Sequence, residues 1–312
     1  MAIMTLTGNL LAEWTFRIPD LKRGKTHRAR ESGFQVGGKG VNVTRILKHL
    51  GQPGEAVGFA EGPLGEYCSA WLERKGIRHR FFPLGEDVRP GLVVREPGNN
   101  PPETTFLGLD QPVPAASWRD ALHQIRSSKP SWLAVCGSIP GWESDWCLSV
   151  RDLLTAPSAP RLAVDTYGPP LADLVHLPLD LVKINRDELD RLTGLDRSTG
   201  TLEAVRRAAA GSPVRNWIIT DGAASITALL AGGGTLLVKP ASIREVSPTG
   251  SGDTFLAALL SGWNQDLLSE EALSWATACA SANSASAGIG DFPLPVDETF
   301  RPRIYPAGQA AD

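Results

Sequence analysis

From residue 117 to residue 220 the chain swings between two hydrophobic periods, and this alternation constrains the fold more than any other feature. Apolar residues at helical spacing mark residues 118–125, 144–154 and 202–210. Between and beside them lie short apolar runs at 132–136, 162–165, 181–184 and 217–220. Short apolar strands separated by helices predict right-handed crossovers and a parallel sheet covered on both faces. In such sheets ligands bind beyond the carboxyl ends of the strands. Glycine and polar residues recur at those ends, as Gly137-Ser138, Asp165-Thr166, Asn185 and Thr220-Asp221-Gly222.

The flanking segments have a different texture. A short apolar strand is predicted at 3–7, then two-faced strands at 13–17 and 26–30, punctuated by Pro19, Asp20 and Gly24. Gly37 to Gly40 opens a helix over 41–50 that Gly51 stops, and a second helix over 66–75 ends at Gly76. Strand character returns at 77–82, and 91–95 and 104–107 read as a hairpin with its turn at 97–100, completing a small sheet begun near Glu13. A further hairpin, 225–230 with 235–238, crosses three glycines. Two helices follow, the first to about 263 and the second at 270–287, and the tail beyond Phe292 is proline-rich. No internal repeat or dividing linker is present, so one domain spanning 1–312 is expected, with lid segments at about 11–33 and 86–108.

With 312 residues, 42% of them hydrophobic, the chain has ample material for a large core. A formal net charge of -3 argues against nucleic-acid or membrane-surface binding. The four cysteines, Cys68, Cys136, Cys147 and Cys279, form no CxxC pair and have no histidine at zinc spacing, so they are expected as free thiols of a reducing compartment. No basic-then-apolar leader or membrane-length run is seen, which predicts a cytoplasmic protein.

Chemistry concentrates in Ser247-Pro248-Thr249-Gly250-Ser251-Gly252-Asp253. Proline and two glycines forbid regular structure there, and Phe255, Leu256, Leu259 and Leu260 then follow at helical spacing. The amides at such a helix start have no intrahelical partner and, with the helix dipole, cradle an anion. A carboxylate at the mouth of that cradle makes sense as acceptor of the proton from an attacking hydroxyl, which points to phosphoryl transfer. Read alone, the string also fits a loop whose Asp merely caps a helix, the commoner use of such residues. A second cluster far upstream, Gly37-Gly38-Lys39-Gly40-Val41-Asn42, weighs toward the anion site.

Six short strings in register resemble the PfkB-type carbohydrate kinases of the ribokinase-like fold. They are 37–43, Gly137-Ser138-Ile139-Pro140-Gly141, Asp165-Thr166-Tyr167-Gly168, Lys183-Ile184-Asn185-Arg186-Asp187-Glu188, Thr220-Asp221-Gly222 and 249–253. The Gly-Gly-Lys-Gly-x-Asn form is similar to the branch that phosphorylates phosphosugars, such as 1-phosphofructokinase and tagatose-6-phosphate kinase. The resemblance implies an α/β, doubly wound, mainly parallel sheet with helices on both faces and a small β lid, often also a homodimer contact. By matched position it implies Asp253 as general base, with Gly250, Ser251 and Gly252 as the anion hole. Glu13, Gly38, Lys39, Asn42 and Arg89 would meet the acceptor, Lys39 and Arg89 at its existing phosphate. Lys183, Asn185, Thr220, Gly222 and Asn283 would border ATP. Asn185 and Glu188 would organise Mg2+ through water, and a monovalent cation, K+, is left open.

Alternatives stand beside these roles. Asn185 and Glu188 also fit a strand-end turn and a first-turn helix acid. Asn283 also fits a cap or packing residue, and Arg89 a lone exposed side chain. The chain departs from the branch where Asn9-Leu10-Leu11-Ala12-Glu13 replaces Asn-Pro-Ala-x-Asp, and where Val88-Arg89-Pro90-Gly91 lacks the usual asparagine. The expectation is therefore an ATP-dependent kinase acting on a primary hydroxyl of a sugar phosphate. A kinase for an unphosphorylated sugar or a nucleoside, and a catalytically silent binding regulator, are the competing expectations.

Overall fold

The computed structural model describes residues 2–96, 103–156 and 158–306. The larger sheet contains β1 (Ile3–Thr7), β4 (Gly54–Phe59), β5 (His79–Phe82), β8 (Trp132–Cys136), β9 (Arg161–Asp165), β10 (Leu181–Asn185) and β11 (Trp217–Asp221), all paired in parallel. Three antiparallel strands, β12 (Ser225–Leu229), β13 (Thr235–Lys239) and β14 (Arg303–Pro306), extend one edge. The order is β14-β13-β12-β11-β10-β9-β8-β1-β4-β5. A separate sheet, ordered β3-β2-β6-β7, is built from β2 (Leu11–Arg17), β3 (Glu31–Gly37), β6 (Pro90–Arg95) and β7 (Glu103–Leu107).

Strand alternation divides the interior between two helical layers. Leu133, Val135, Leu162, Val164, Val182 and Ile184 face one core with α3 (Ala115–Ser128), α4 (Trp146–Leu154), α5 (Pro169–Leu174), α6 (Arg186–Thr193) and α7 (Thr201–Ala209). Their neighbours Trp132, Ala134, Cys136, Ala163 and Leu181 face the other core with α1 (Lys39–His49), α8 (Ser251–Asn264) and α9 (Ser269–Ser284). The same period turns Asp165 and Lys183, one residue past Val164 and Val182, toward the α1 and α8 layer. A third cluster joins α2 (Gly62–Arg74) to the underside of the small sheet through Trp71, Leu72, Leu10, Ala12 and Val36.

The strand expected at 26–30 is not formed; those residues are irregular, and β3 lies at Glu31–Gly37 instead. In that register Phe34 reaches Trp14, Tyr67 and Trp71, whereas His27-Arg28-Ala29-Arg30 offers no large apolar side chain to bury. The small sheet thus extends to Gly37, past residue 33. Strands β4 and β14 and helix α5 lie outside the elements expected from the sequence, and α6 is expected only through the alternative reading of Glu188 as a first-turn acid. The turn expected at 97–100 lies outside the described residues. All four cysteines are free, with Cys147 half-buried and the others buried.

Candidate phosphoryl-transfer site

Asp253 does not cap its helix. The N-cap of α8 is Gly250, at φ 78, a left-handed conformation in which a Cβ would stand 2.7 Å from Ile289. The Ser251 amide donates to Pro248 O at 3.1 Å and that of Thr254 to Gly250 O at 2.8 Å. Between them, in the first turn, the amides of Gly252 and Asp253 have no intrahelical acceptor. Asn283 on α9 is buried and braces this loop. Its amide donates to Thr249 O at 3.1 Å and Ser251 Oγ at 3.2 Å, and its carbonyl accepts from the Gly290 amide at 2.9 Å.

The Asp253 carboxylate turns instead to α1, where Asn42 Nδ2 donates to its Oδ2 at 2.7 Å. Asn42 is placed there by the glycine run: Gly38 caps α1 at φ 121, and a Cβ on it would lie 2.7 Å from Thr7. Burial, reinforced by the nearby charge of Asp165, pushes Asp253 up to about 6, against the pull of Lys39 and Asn42. A carboxylate so tuned accepts a proton near neutral pH without being protonated there beforehand.

The charges around it come from β9, β10 and the starts of α1 and α6. Asp165, at the end of β9 and fully buried, takes Lys183 Nζ on Oδ2 and Lys39 Nζ on Oδ1, each at 2.7 Å. Lys39 also lies 3.3 Å from Glu188 Oε1. Desolvation opposes both charges, but the two ammoniums outweigh it and hold Asp165 below the usual carboxylate range. Desolvation likewise opposes the charge on Lys39, and Asp165 and Glu188 together more than reverse it. The sequence marks Asp165 only as a polar residue at the carboxyl end of a strand, which is where ligands bind in such sheets.

Asn185 and Glu188 are brought together as a capping box at the start of α6. Asn185 Oδ1 accepts from the Glu188 amide at 2.9 Å, and Glu188 Oε2 accepts from the Asn185 amide at 2.8 Å. The turn-and-helix-acid alternative is therefore realised in the backbone, and Glu188 still presents Oε1 to the cleft. Thr220 sits beside Asn185 in the parallel register of β10 and β11, and Gly222 is exposed just beyond.

The residues expected to meet the acceptor from the small sheet fall into two groups. Glu13 on β2 stands opposite Gln35 on β3, and Gln35 Nε2 donates to its Oε1 at 2.5 Å. Burial raises the Glu13 carboxyl, and the Gln35 hydrogen bond moderates that rise. Arg45, one turn after Asn42 on α1, donates to Gln35 Oε1 at 3.2 Å. Arg89 is apart from this group, with Nη1 on Asp110 Oδ1 at 2.5 Å. Neither Gln35 nor Asp110 carried a recognisable motif in the sequence.

The residues fit a nucleotide and a divalent ion. A Cβ on Gly252 would meet only Lys183 Nζ, at 3.0 Å, so the loop and an ammonium bound a space that the glycine leaves free for an anion. Among the described residues no group of three or more His, Cys, Asp or Glu forms a metal cage. A divalent ion that leans on substrate phosphates and water fits beside a nearby carboxylate such as Glu188.

A sheet of this topology, with a tuned carboxylate beside an oxyanion cradle at a helix start, is the architecture of a small-molecule kinase. Residues 6–296 match the pfkB family of carbohydrate kinases, and the chain belongs to that family. It is 26% identical to 1-phosphofructokinase of Borreliella burgdorferi, covering 93% of this chain and 94% of the relative. It is 29% identical to D-tagatose-1-phosphate kinase of Klebsiella oxytoca, covering 92% and 94%. Its fold is similar to that of phosphofructokinase-2 from Escherichia coli in complex with substrates and products, at TM-score 0.82 and 21% identity over 91% and 94% of the two chains. The fold is ribokinase-like, and the protein is an enzyme that phosphorylates carbohydrates with ATP and a divalent metal. Among the described residues no helix is long and apolar enough to cross a membrane.

Proposed function

We propose that the enzyme transfers the γ-phosphoryl group of MgATP to a primary hydroxyl of a sugar phosphate of the fructose 1-phosphate, fructose 6-phosphate or tagatose 6-phosphate type. The observation that carries this reading is the Asn42–Asp253 pair at the foot of the Gly250–Gly252 loop. ATP supplies the phosphoryl group, and Mg2+ screens its charge. Asp253 accepts the proton of the attacking hydroxyl, while Asn42 orients the carboxylate and favours its ionised form. The amides of Gly252 and Asp253 face the charge that builds on the transferring group, with Lys183 at the rim of the same cradle. Glu13 contacts sugar hydroxyls, and Arg89 contacts the phosphate already present. Thr220 and Gly222 border the nucleotide, and Glu188 with Asn185 reaches the metal through water.

A second reading, an uncharged sugar or nucleoside as acceptor, is favoured by the ion pair of Arg89 with Asp110, which offers an acceptor's phosphate an arginine already neutralised. ADP release with MgATP across those three phosphosugars, plain sugars and nucleosides separates the two. Turnover only on uncharged acceptors overturns the first. We place a homodimer contact on the lid, where Phe106 and Leu107 of β7 and the following Leu109 are exposed, and assign the reaction to the cytoplasm on the free thiols.

A further inference from the structure

Arg89, Asn9 and Ser138 form a linked group of hydrogen-bonding side chains beyond the ends of β1 and β8. Arg89 Nη1 donates to Asp110 Oδ1 at 2.5 Å, and Asn9 Nδ2 donates to the same oxygen at 2.9 Å and to Ser138 Oγ at 2.9 Å. Ser138 adjoins Gly137, whose Cβ position would lie 3.7 Å from Lys39 Cβ, so the group borders the cleft that opens on Asp253. The partners of this contact are unequal. Asn9 is buried and the Arg89 side chain is 14% exposed, while the Asp110 side chain is 57% exposed on the irregular segment after β7. Arg89 also keeps a buried Nε that has no hydrogen-bond partner among the described residues.

The donors are therefore fixed and the carboxylate is the member free to leave. A single carboxylate oxygen takes two of the donors, where a phosphate group brings three oxygens and more charge to the same place. We propose that Asp110 is an internal competitor for the acceptor's anionic group: it holds the Arg89 and Asn9 donors until a phosphate displaces it, and so sets how strongly the enzyme prefers phosphorylated acceptors. The proposal rests on the reading of Arg89 as the acceptor's phosphate contact. It adds a residue that acts against binding, so that specificity reflects a difference between two anions on one site.

The test compares wild type with Asp110→Asn and Asp110→Ala, measuring KM for the best phosphorylated acceptor, KM for MgATP, and inhibition by inorganic phosphate competitive with the acceptor. Removing a half-exposed competing charge is expected to lower the acceptor KM and the phosphate inhibition constant about fivefold, with KM for MgATP unmoved. Adding Arg89→Met is expected to abolish the gain. Unchanged or weakened phosphate affinity in both Asp110 variants overturns the proposal, since Asp110 would then be aligning Arg89 rather than blocking it. If wild type turns over only uncharged acceptors, yet Asp110→Asn binds inorganic phosphate more tightly, Asp110 competes with anions at Arg89, but the acceptor reading falls and with it the role in acceptor preference. If phosphosugars are turned over and neither constant moves, only the competitor role falls.

Discussion

Lys39 and Lys183 are held on the two oxygens of one buried carboxylate, Asp165, each at 2.7 Å. The pair comes from distant parts of the sequence, one from the start of α1 and one from within β10. Their separation is fixed by a side chain that is almost wholly out of water. Two cations are thereby brought to one place on a shared carboxylate, with Glu188 as a second, longer partner of Lys39 at 3.3 Å.

Replacing Asp165 with Ala would strand the buried Lys183 ammonium without its carboxylate and leave Lys39 to Glu188 alone. Loss of about 3 kcal/mol of stability is expected, read as a lowered urea midpoint. Asp165→Asn keeps the shape but not the charge and should recover part of that loss. A variant as stable as wild type would show that the cluster is not structurally coupled.

The base sets the acid limb of the pH profile. Because burial holds Asp253 up at about 6, it is ionised and competent above that pH. Below it, kcat/KM for the acceptor should fall about tenfold per pH unit as the carboxyl protonates. Asn42→Ala removes a hydrogen bond to the ionised form, so the limb should move to higher pH. A limb that stays in place in that variant would assign the titration to another group.

Asp253→Asn should lower kcat by about 10²–10⁴, the usual worth of a positioned general base. Nucleotide affinity, followed by calorimetry, should be largely kept, since the cradle is made of backbone amides and Lys183. Near-wild-type turnover would remove Asp253 from its role.

Gln35 positions Glu13 through one short hydrogen bond and is itself held by Arg45. Gln35→Leu should raise the acceptor KM about tenfold, the scale of one hydrogen bond to a charged group, while KM for MgATP stays put. Gln35→Asn, too short to span the same distance, should fall between. Equal rises in both KM values would mark a general loss of lid structure instead.

The parallel core was legible because its strands are short, apolar and separated by helices, so local period and global layer agree at 132–136, 162–165 and 217–220. β4 is not legible in the sequence because Gly54-Glu55-Ala56-Val57-Gly58 has two glycines and little periodicity, and only its neighbours β1 and β5 make it a strand. β3 was displaced because alternation exists at both 26–30 and 31–37, and the choice depends on where Phe34 finds Trp14 and Trp71. In the site, glycine loops declare themselves locally through the conformations they need. Gln35 and Asp110 do not, because their meaning lies in a cross-strand partner and a residue 21 positions away.

Helix α1 has Asn42 on the catalytic carboxylate and Arg45 on the lid's Gln35, three residues apart on one face. A rigid helix transmits rotation without loss over so short a span. The environment of the Asp253 carboxylate and the brace of Gln35 on the small sheet therefore share one short stretch of helix, and a substitution that shifts α1 bears on both.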